Sequence, residues 1–230
     1  MTSHPRISVI IPAFNEQEGI VSVLGDIPKG LVSEVIVVDN GSTDRTAQVA
    51  EEAGARVVRE ARRGYGFACL AGIASADRPD LFVFLDGDYS DHPDEMPLLL
   101  APILRGEADL VIGSRMLGRR ERGALLPQAR FGNWLATRLI RLLFGVRFTD
   151  LGPFRVVTRG ALERMGMRDT TFGWTVEMQV KAARLGLRAV EVPVRYRRRV
   201  GVSKITGTVS GTVRAGYKIL YTIFRYWLWG

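Results

Sequence analysis

Residues 81–85 read Leu-Phe-Val-Phe-Leu, and Asp86-Gly87-Asp88 follow at once. Five apolar side chains in a row leave a strand no polar face, so it must be covered on both sides. Runs at 7–11, 35–38 and 110–113 share this character, and 56–59 reads as a shorter strand between them. Helical patterns fill the intervals at 16–27, 43–53, 66–76 and 94–104. Apolar strands alternating with helices predict an α/β domain, a mostly parallel sheet with helices on both faces.

Beyond Arg115 the rhythm breaks. Residues 117–128 are rich in Gly and Arg and read as a mobile loop, and 131–144 as an amphipathic helix. A strand at 155–157, a helix at 175–185 and a strand at 190–195 complete the reading. A length of 230 residues suits one large domain or two small ones, and no linker splits the chain. The single cysteine, Cys69, excludes an internal disulfide. No apolar stretch of signal-peptide length precedes the first strand, and no run reaches the roughly 18 residues of a membrane span. These features predict a cytoplasmic protein without a transmembrane helix.

The net charge of +8 is unevenly placed. From residue 192 to the end, eight Lys and Arg face no Asp or Glu, while the other 24 basic residues balance the 24 acidic ones. A second excess spans 115–147, with eight arginines against Glu121. Such patches attract phosphates, nucleic acid or anionic lipid.

Polar residues at the strand ends carry the chemistry. Pro12 stops the first strand and Asn15 is placed to cap the helix after it. Asp39 ends the second strand ahead of Gly41, with Ser42 or Thr43 available as a helix cap and Asp44 favouring the positive helix end. Capping accounts for those three but not for Asp39, whose carboxylate can accept from a base N–H or a ribose hydroxyl. Ligands of open α/β sheets lie just outside such strand ends. The stretch from Arg62 to Ala68 has a loose Gly-x-Gly look in the wrong place for a dinucleotide fingerprint, and reads as a loop that brings Arg63 beside a nucleotide. Asp86 and Asp88 end the fourth strand. Packed close they repel, and a hard divalent cation, Mg²⁺ or Mn²⁺, relieves the conflict by taking their oxygens on one side and diphosphate oxygens on the other.

Together, Pro12-Ala13-Phe14-Asn15-Glu16, the 38–44 stretch, Asp86-Gly87-Asp88 and Gly113-Ser114-Arg115 resemble the family 2 glycosyltransferases with a GT-A fold. Asp150-Leu151-Gly152-Pro153-Phe154-Arg155, Trp174-Thr175-Val176-Glu177-Met178 and the 199–204 segment resemble the dolichyl-phosphate mannose and glucose synthase branch. The likeness spans about 6–207. It implies a GT-A domain over 1–207, followed by a basic, aromatic, amphipathic helix over 208–230. It implies that Pro12, Phe14, Glu16 and Asp39 cradle base and ribose, and that Asp86 and Asp88 hold metal and diphosphate. It further implies that Arg115 reaches phosphate at the reacting centre, and that Arg199, Ser203 and Lys204 bind phosphate of donor or acceptor. The sequence departs from the family pattern at Asn40, where many relatives carry aspartate, and at Ser90, where many carry glutamine.

The resemblance implies inverting, metal-dependent transfer of a sugar from a UDP- or GDP-linked donor to a polyprenyl phosphate. A lipid phosphate is already an anionic nucleophile and needs cations to hold it, which Arg115, Arg199 and Lys204 supply. A soluble hydroxyl acceptor is the alternative; it needs a base, for which Glu177 is the candidate, and a carboxylate paired with a nearby arginine is the competing reading of Glu177. At about 100° per residue, Arg214, Lys218 and Arg225 of the last segment share a stripe, with Ile219, Ile223, Phe224 and Trp227 on the remaining face. That pattern predicts peripheral attachment to the cytoplasmic face of a membrane, a helix docked on the protein core being the other reading. A nucleic-acid-binding module built on the two basic patches ranks lower, because it leaves Asp39, Asp86 and Asp88 without a purpose, and no nucleic-acid partner is expected.

Overall fold

A computed structural model describes residues 5–201 and 209–229. The apolar runs become strands β1 (Ile7–Ala13), β2 (Glu34–Asp39), β3 (Arg56–Arg59), β4 (Leu81–Phe84), β5 (Leu110–Ser114), β6 (Arg155–Thr158) and β7 (Ala189–Pro193). They form one sheet in the order β3-β2-β1-β4-β6-β5-β7. All neighbours pair in parallel except β6, which runs against both β4 and β5.

Side chains alternate across the sheet and seed two cores. Ile10, Ile36, Val38, Phe82 and Phe84 point to one face, beneath α3 (Tyr65–Ser75), α5 (Pro127–Phe144), α6 (Arg159–Met165), α7 (Trp174–Arg184) and α8 (Val209–Leu228). Val9, Ile11, Val37, Leu81 and Val83 point to the other, beneath α1 (Ile20–Asp26), α2 (Thr46–Glu52) and α4 (Met96–Leu104). Burial on both faces explains why these strands lack polar alternation. Because β2, β1 and β4 are adjacent and parallel, their carboxyl ends meet at one sheet edge, and Asp39, Phe14 and Asp86 arrive there together.

Several local expectations change. Helix α1 begins at Ile20 and its N-cap is Gly19, with no side-chain cap. Asn15 has a left-handed backbone (φ 54°) and serves elsewhere: its Oδ1 accepts from the Thr43 backbone N at 2.8 Å, and its own N donates to Ser42 Oγ at 3.0 Å. The expected caps Asn15 and Ser42 thus stitch the loops after β1 and β2 to each other. Residues 117–126 are held to the segment after β7 by an Arg120–Tyr196 bridge and by Arg198, whose N donates to Glu121 and whose Nε donates to the Arg122 carbonyl. Helix α6 is too short to stand out by periodicity; Thr158 caps it, Oγ1 accepting from Ala161 N at 3.2 Å.

Candidate active site

At the β1 and β2 ends the structure gathers Pro12, Phe14, Glu16, Asp39 and Arg63. Pro12 and Ala13 lie in register with Val38 and Asp39. The Arg63 guanidinium stacks on the Phe14 ring, 3.3 Å from its centroid, and donates to the Gly41 carbonyl at 2.7 Å. Asp39 accepts from the Ser42 backbone N at 3.0 Å, which fixes its carboxylate at the strand tip. The departure at Asn40 has a structural reason. Its amide donates to the carbonyls of Glu60 (3.0 Å) and Arg62 (2.7 Å) and accepts from Gly64 N (2.7 Å). An ionised carboxylate cannot make the two donations.

Asp86 and Asp88 lie at the end of β4. Asp88 accepts at Oδ1 from Ser90 N (2.9 Å) and Ser90 Oγ (2.5 Å), and its Oδ2 is 3.3 Å from Arg199. Ser90, at the second departure, therefore holds the Asp88 carboxylate. Arg199 also donates to Glu16 at 3.0 Å, so one guanidinium joins the expected base side to the expected metal side. Asp86 accepts from the Tyr65 hydroxyl at 3.2 Å. Burial, then the neighbouring Asp88 charge, pushes the Asp86 carboxyl up to about 7. Buried Asp91 is also pushed up, by burial first and by Asp86 next. Among the described residues no group of three His, Cys, Asp or Glu is arranged to hold a metal unaided. The two crowded carboxylates fit a divalent cation whose remaining ligands come from outside the chain, such as diphosphate oxygens.

The Asp86–Asp91 turn is braced from a distance. Arg197 lies over the Tyr89 ring at 3.4 Å and donates to the carbonyls of Tyr89 (2.7 Å) and Asp91 (2.9 Å). Tyr89 itself sits at φ 61°. Such bracing carries no motif in the sequence, where Arg197 reads as part of a charge run. The same holds for much of that run: Arg195 pairs with Asp94 and Glu95, Arg197 with Asp26, Arg199 with Glu16 and Asp88, and Lys218 with Asp169. The basic stretch is a set of long-range ion pairs as much as an anion-attracting patch.

Arg115 enters from the end of β5. Its N, Nε and Nη2 all donate to the Asp150 carboxylate, at 2.7, 2.8 and 2.7 Å. Asp150 is fully buried and accounts for the orientation of Arg115, a role that its spacing in the chain does not reveal. Asp86, Asp88, Arg115 and Arg199 line a cavity of about 700 Å³. Leu125, Leu126 and Leu135, with Ile219 and Leu220 of α8, are among its other lining residues, as are Gln128, Thr175 and Arg198.

Glu177 stands outside this lining. It is fully buried, accepts from the backbone N of Arg168 and Asp169 and from Tyr226 Oη, and pairs with Lys181 at 2.8 Å. It is paired as the competing reading had it, though with a lysine one helical turn on in place of an arginine. Ser203 and Lys204 fall outside the described residues.

The sequence profile described as Glycosyl transferase family 2 matches residues 8–166. The chain belongs to that family. This transferase is 39% identical over 211 residues to an uncharacterised glycosyltransferase of Mycobacterium tuberculosis, covering 91% of this chain and 94% of the relative. It is 32% identical over 220 residues to the undecaprenyl-phosphate mannosyltransferase of Micrococcus luteus, covering 90% of each. Among solved structures it resembles glucosyl-3-phosphoglycerate synthase from Mycobacterium tuberculosis, crystallised with Mn²⁺, UDP-glucose and phosphoglyceric acid. That match has a TM-score of 0.79 at 27% identity and covers 97% of this chain and 80% of the other. The transferase therefore has the GT-A fold and the nucleotide-sugar chemistry of its family. Its relatives differ in acceptor, one named for a lipid phosphate and one solved with phosphoglyceric acid.

Proposed function

We propose that this enzyme transfers a sugar, with inversion, from a UDP- or GDP-linked donor to a polyprenyl phosphate at a membrane surface. One observation carries the choice of acceptor. The cavity that Asp86, Asp88, Arg115 and Arg199 line is also lined by apolar side chains of the 124–135 stretch and of α8, among them Leu125, Leu126, Leu135, Ile219 and Leu220. A lipid phosphate presents both a charged group and an apolar chain, and this lining offers partners for each, whereas a small charged acceptor would leave the apolar side chains uncovered.

In this reading Pro12, Phe14, Glu16, Asp39 and Arg63 hold the nucleoside. Asp86 and Asp88 hold the diphosphate through Mg²⁺ or Mn²⁺, which would neutralise charge on the leaving group. Arg115 and Arg199 hold the acceptor phosphate in line, and the family resemblance gives Ser203 and Lys204 the same task. An acceptor oxygen attacks the anomeric carbon as the bond to the diphosphate breaks, and the nucleoside diphosphate leaves with the electron pair. No proton need be removed from a phosphate that is already ionised, so Glu177 has no base to play on this route.

The outer faces of two helices support attachment to a membrane. Helix α8, the basic, aromatic segment that follows the 1–207 domain expected from the sequence, docks Ile223 into the core but exposes Tyr217 (69%), Tyr221, Phe224 and Trp227 (50%). Helix α5 beside it exposes Phe131, Trp134 and Leu142 (78%). Arg138 lies over the Trp134 ring at 5.9 Å. Exposed aromatic and basic groups on two helices that touch suit the headgroup region. Among the described residues no helix is long and apolar enough to cross a membrane.

The test is transfer itself. Radiolabelled UDP-glucose and GDP-mannose are each incubated with the protein, Mn²⁺ and undecaprenyl phosphate in detergent, or with 3-phosphoglycerate. Label extracted into organic solvent, dependent on the lipid phosphate, is the expected result. Label transferred to phosphoglycerate alone overturns the acceptor assignment and leaves the family chemistry standing.

A further inference from the structure

Tyr65 lines the cavity beside Asp86, and its hydroxyl donates to Asp86 Oδ1 at 3.2 Å. The turn that carries it is fixed with little tolerance. Gly64 has φ +151°, and a Cβ there would lie 2.2 Å from the Thr170 carbonyl oxygen. A Cβ on Gly66 would lie 2.0 Å from the Asp169 carbonyl oxygen. Phe67 N donates to the Thr170 carbonyl at 3.0 Å, and Gly64 N to Asn40 Oδ1 at 2.7 Å. The residues on both sides of Tyr65 are therefore seated against backbone, in positions that admit no side chain.

The seat is anchored in turn. Glu177 takes the backbone N of Arg168 and Asp169, and Lys218 of α8 pairs with Asp169 at 2.8 Å. The backbone that carries the phenol is thus fixed on both sides, and the hydroxyl is directed at Asp86. Nothing in the loose Gly-x-Gly pattern of the sequence points to it, since that stretch reads as a loop whose functional residue is Arg63.

We propose that Tyr65 is a positioning residue for donor binding. Its O–H holds the Asp86 carboxylate in one rotation against the cavity wall, ready for the metal-bound diphosphate. The proposal rests on the reading of Asp86 and Asp88 as the carboxylates that bind diphosphate through a divalent cation. Hydrogen-bond partners of metal-binding carboxylates typically contribute a roughly 10- to 100-fold difference in metal affinity. Tyr65 would act at that level, on the metal-dependent part of nucleotide binding and not on base or ribose contacts.

The test compares wild type, Y65F and D88N by calorimetric titration with UDP and with GDP, each in Mn²⁺ and in EDTA at one pH. The expected result is that Mn²⁺ tightens binding of one nucleotide to wild type, and that Y65F loses roughly 10-fold or more of that gain. Binding in EDTA and the melting temperature of the ligand-free protein should be unchanged in Y65F. An Mn²⁺ gain in Y65F equal to wild type overturns the proposal, and so does equal weakening in Mn²⁺ and EDTA, which marks Tyr65 as a general wall of the pocket. If Y65F does not fold, Y65M replaces it with a flexible apolar chain and must show the same selective loss. No Mn²⁺ gain in wild type brings down the metal reading itself, and Tyr65 with it. A gain that disappears in D88N but persists in Y65F brings down the Tyr65 assignment alone.

Discussion

Tyr226 donates its hydroxyl to Glu177 across 2.6 Å, although 49 residues separate them. This bond ties the last helix to the helix that supports the 168–170 segment. A fully buried carboxylate with four donors around it is a brace. Glu177→Gln should lower the melting temperature, because Lys181 and Tyr226 lose an anionic partner, and breaking a buried pair costs roughly 3 kcal/mol or more. Transfer per folded molecule should stay within a few-fold of wild type. Differential scanning fluorimetry beside a rate measurement decides it: a loss of rate by orders of magnitude at unchanged stability would restore the general-base role.

Arg115 is gripped by Asp150 through three donors. Lysine cannot reproduce a forked contact. Arg115→Lys should therefore lower kcat/KM by roughly tenfold or more while the protein still folds, the equivalent of about 1.4 kcal/mol in the transition state. Asp150→Ala should instead destabilise the fold, since it leaves a buried guanidinium without its counter-charge. Steady-state kinetics and thermal melts of the two variants separate these outcomes.

The raised Asp86 carboxyl predicts a pH dependence. Its folded value of about 7 lies above the ordinary 3.8, so the folded protein holds this proton more tightly than the unfolded chain. The stability from this group is fully present below the ordinary value and is lost as pH rises through about 7. Metal-free protein should melt at a lower temperature at pH 8 than at pH 6. Asp86→Asn should flatten part of that slope, with Asp91, raised in the same sense, supplying a remainder. Melts in EDTA across this range measure it, and an unchanged slope in the variant would remove Asp86 as the cause.

Helix α8 has two faces with different duties. Ile223 is fully buried, and Ile223→Ala should cost roughly 3 kcal/mol of stability. Tyr217, Phe224 and Trp227 are exposed, and changing all three to serine should leave the melting temperature nearly unaltered. Co-sedimentation with vesicles containing phosphatidylglycerol should fall sharply in the triple variant. Equal vesicle binding by triple variant and wild type would take α8 out of the membrane-facing surface.

The chain by itself determined the layered fold and the strand-tip carboxylates. An apolar run as short as 81–85, bounded by Asp86-Gly87-Asp88, reads as a strand covered on both faces, and Asp39, Asp86 and Asp88 follow directly from where such runs stop. These are local properties, written in periodicity and in the residue that interrupts it. Only the tertiary structure decided what those residues meet. Asn15 left its expected cap to join Ser42 because parallel pairing of β1 with β2 brought the two loops together. Arg199 reached Glu16 across 183 residues, Arg197 reached the Asp91 carbonyl across 106, and Tyr65 reached Asp86 across 21. The order of strands and the seating of α7 and α8 set each of those distances. A run of cations in sequence is therefore ambiguous between an open patch and a set of internal partners, and packing, which periodicity does not encode, gave Arg195, Arg197, Arg199 and Lys218 acidic partners.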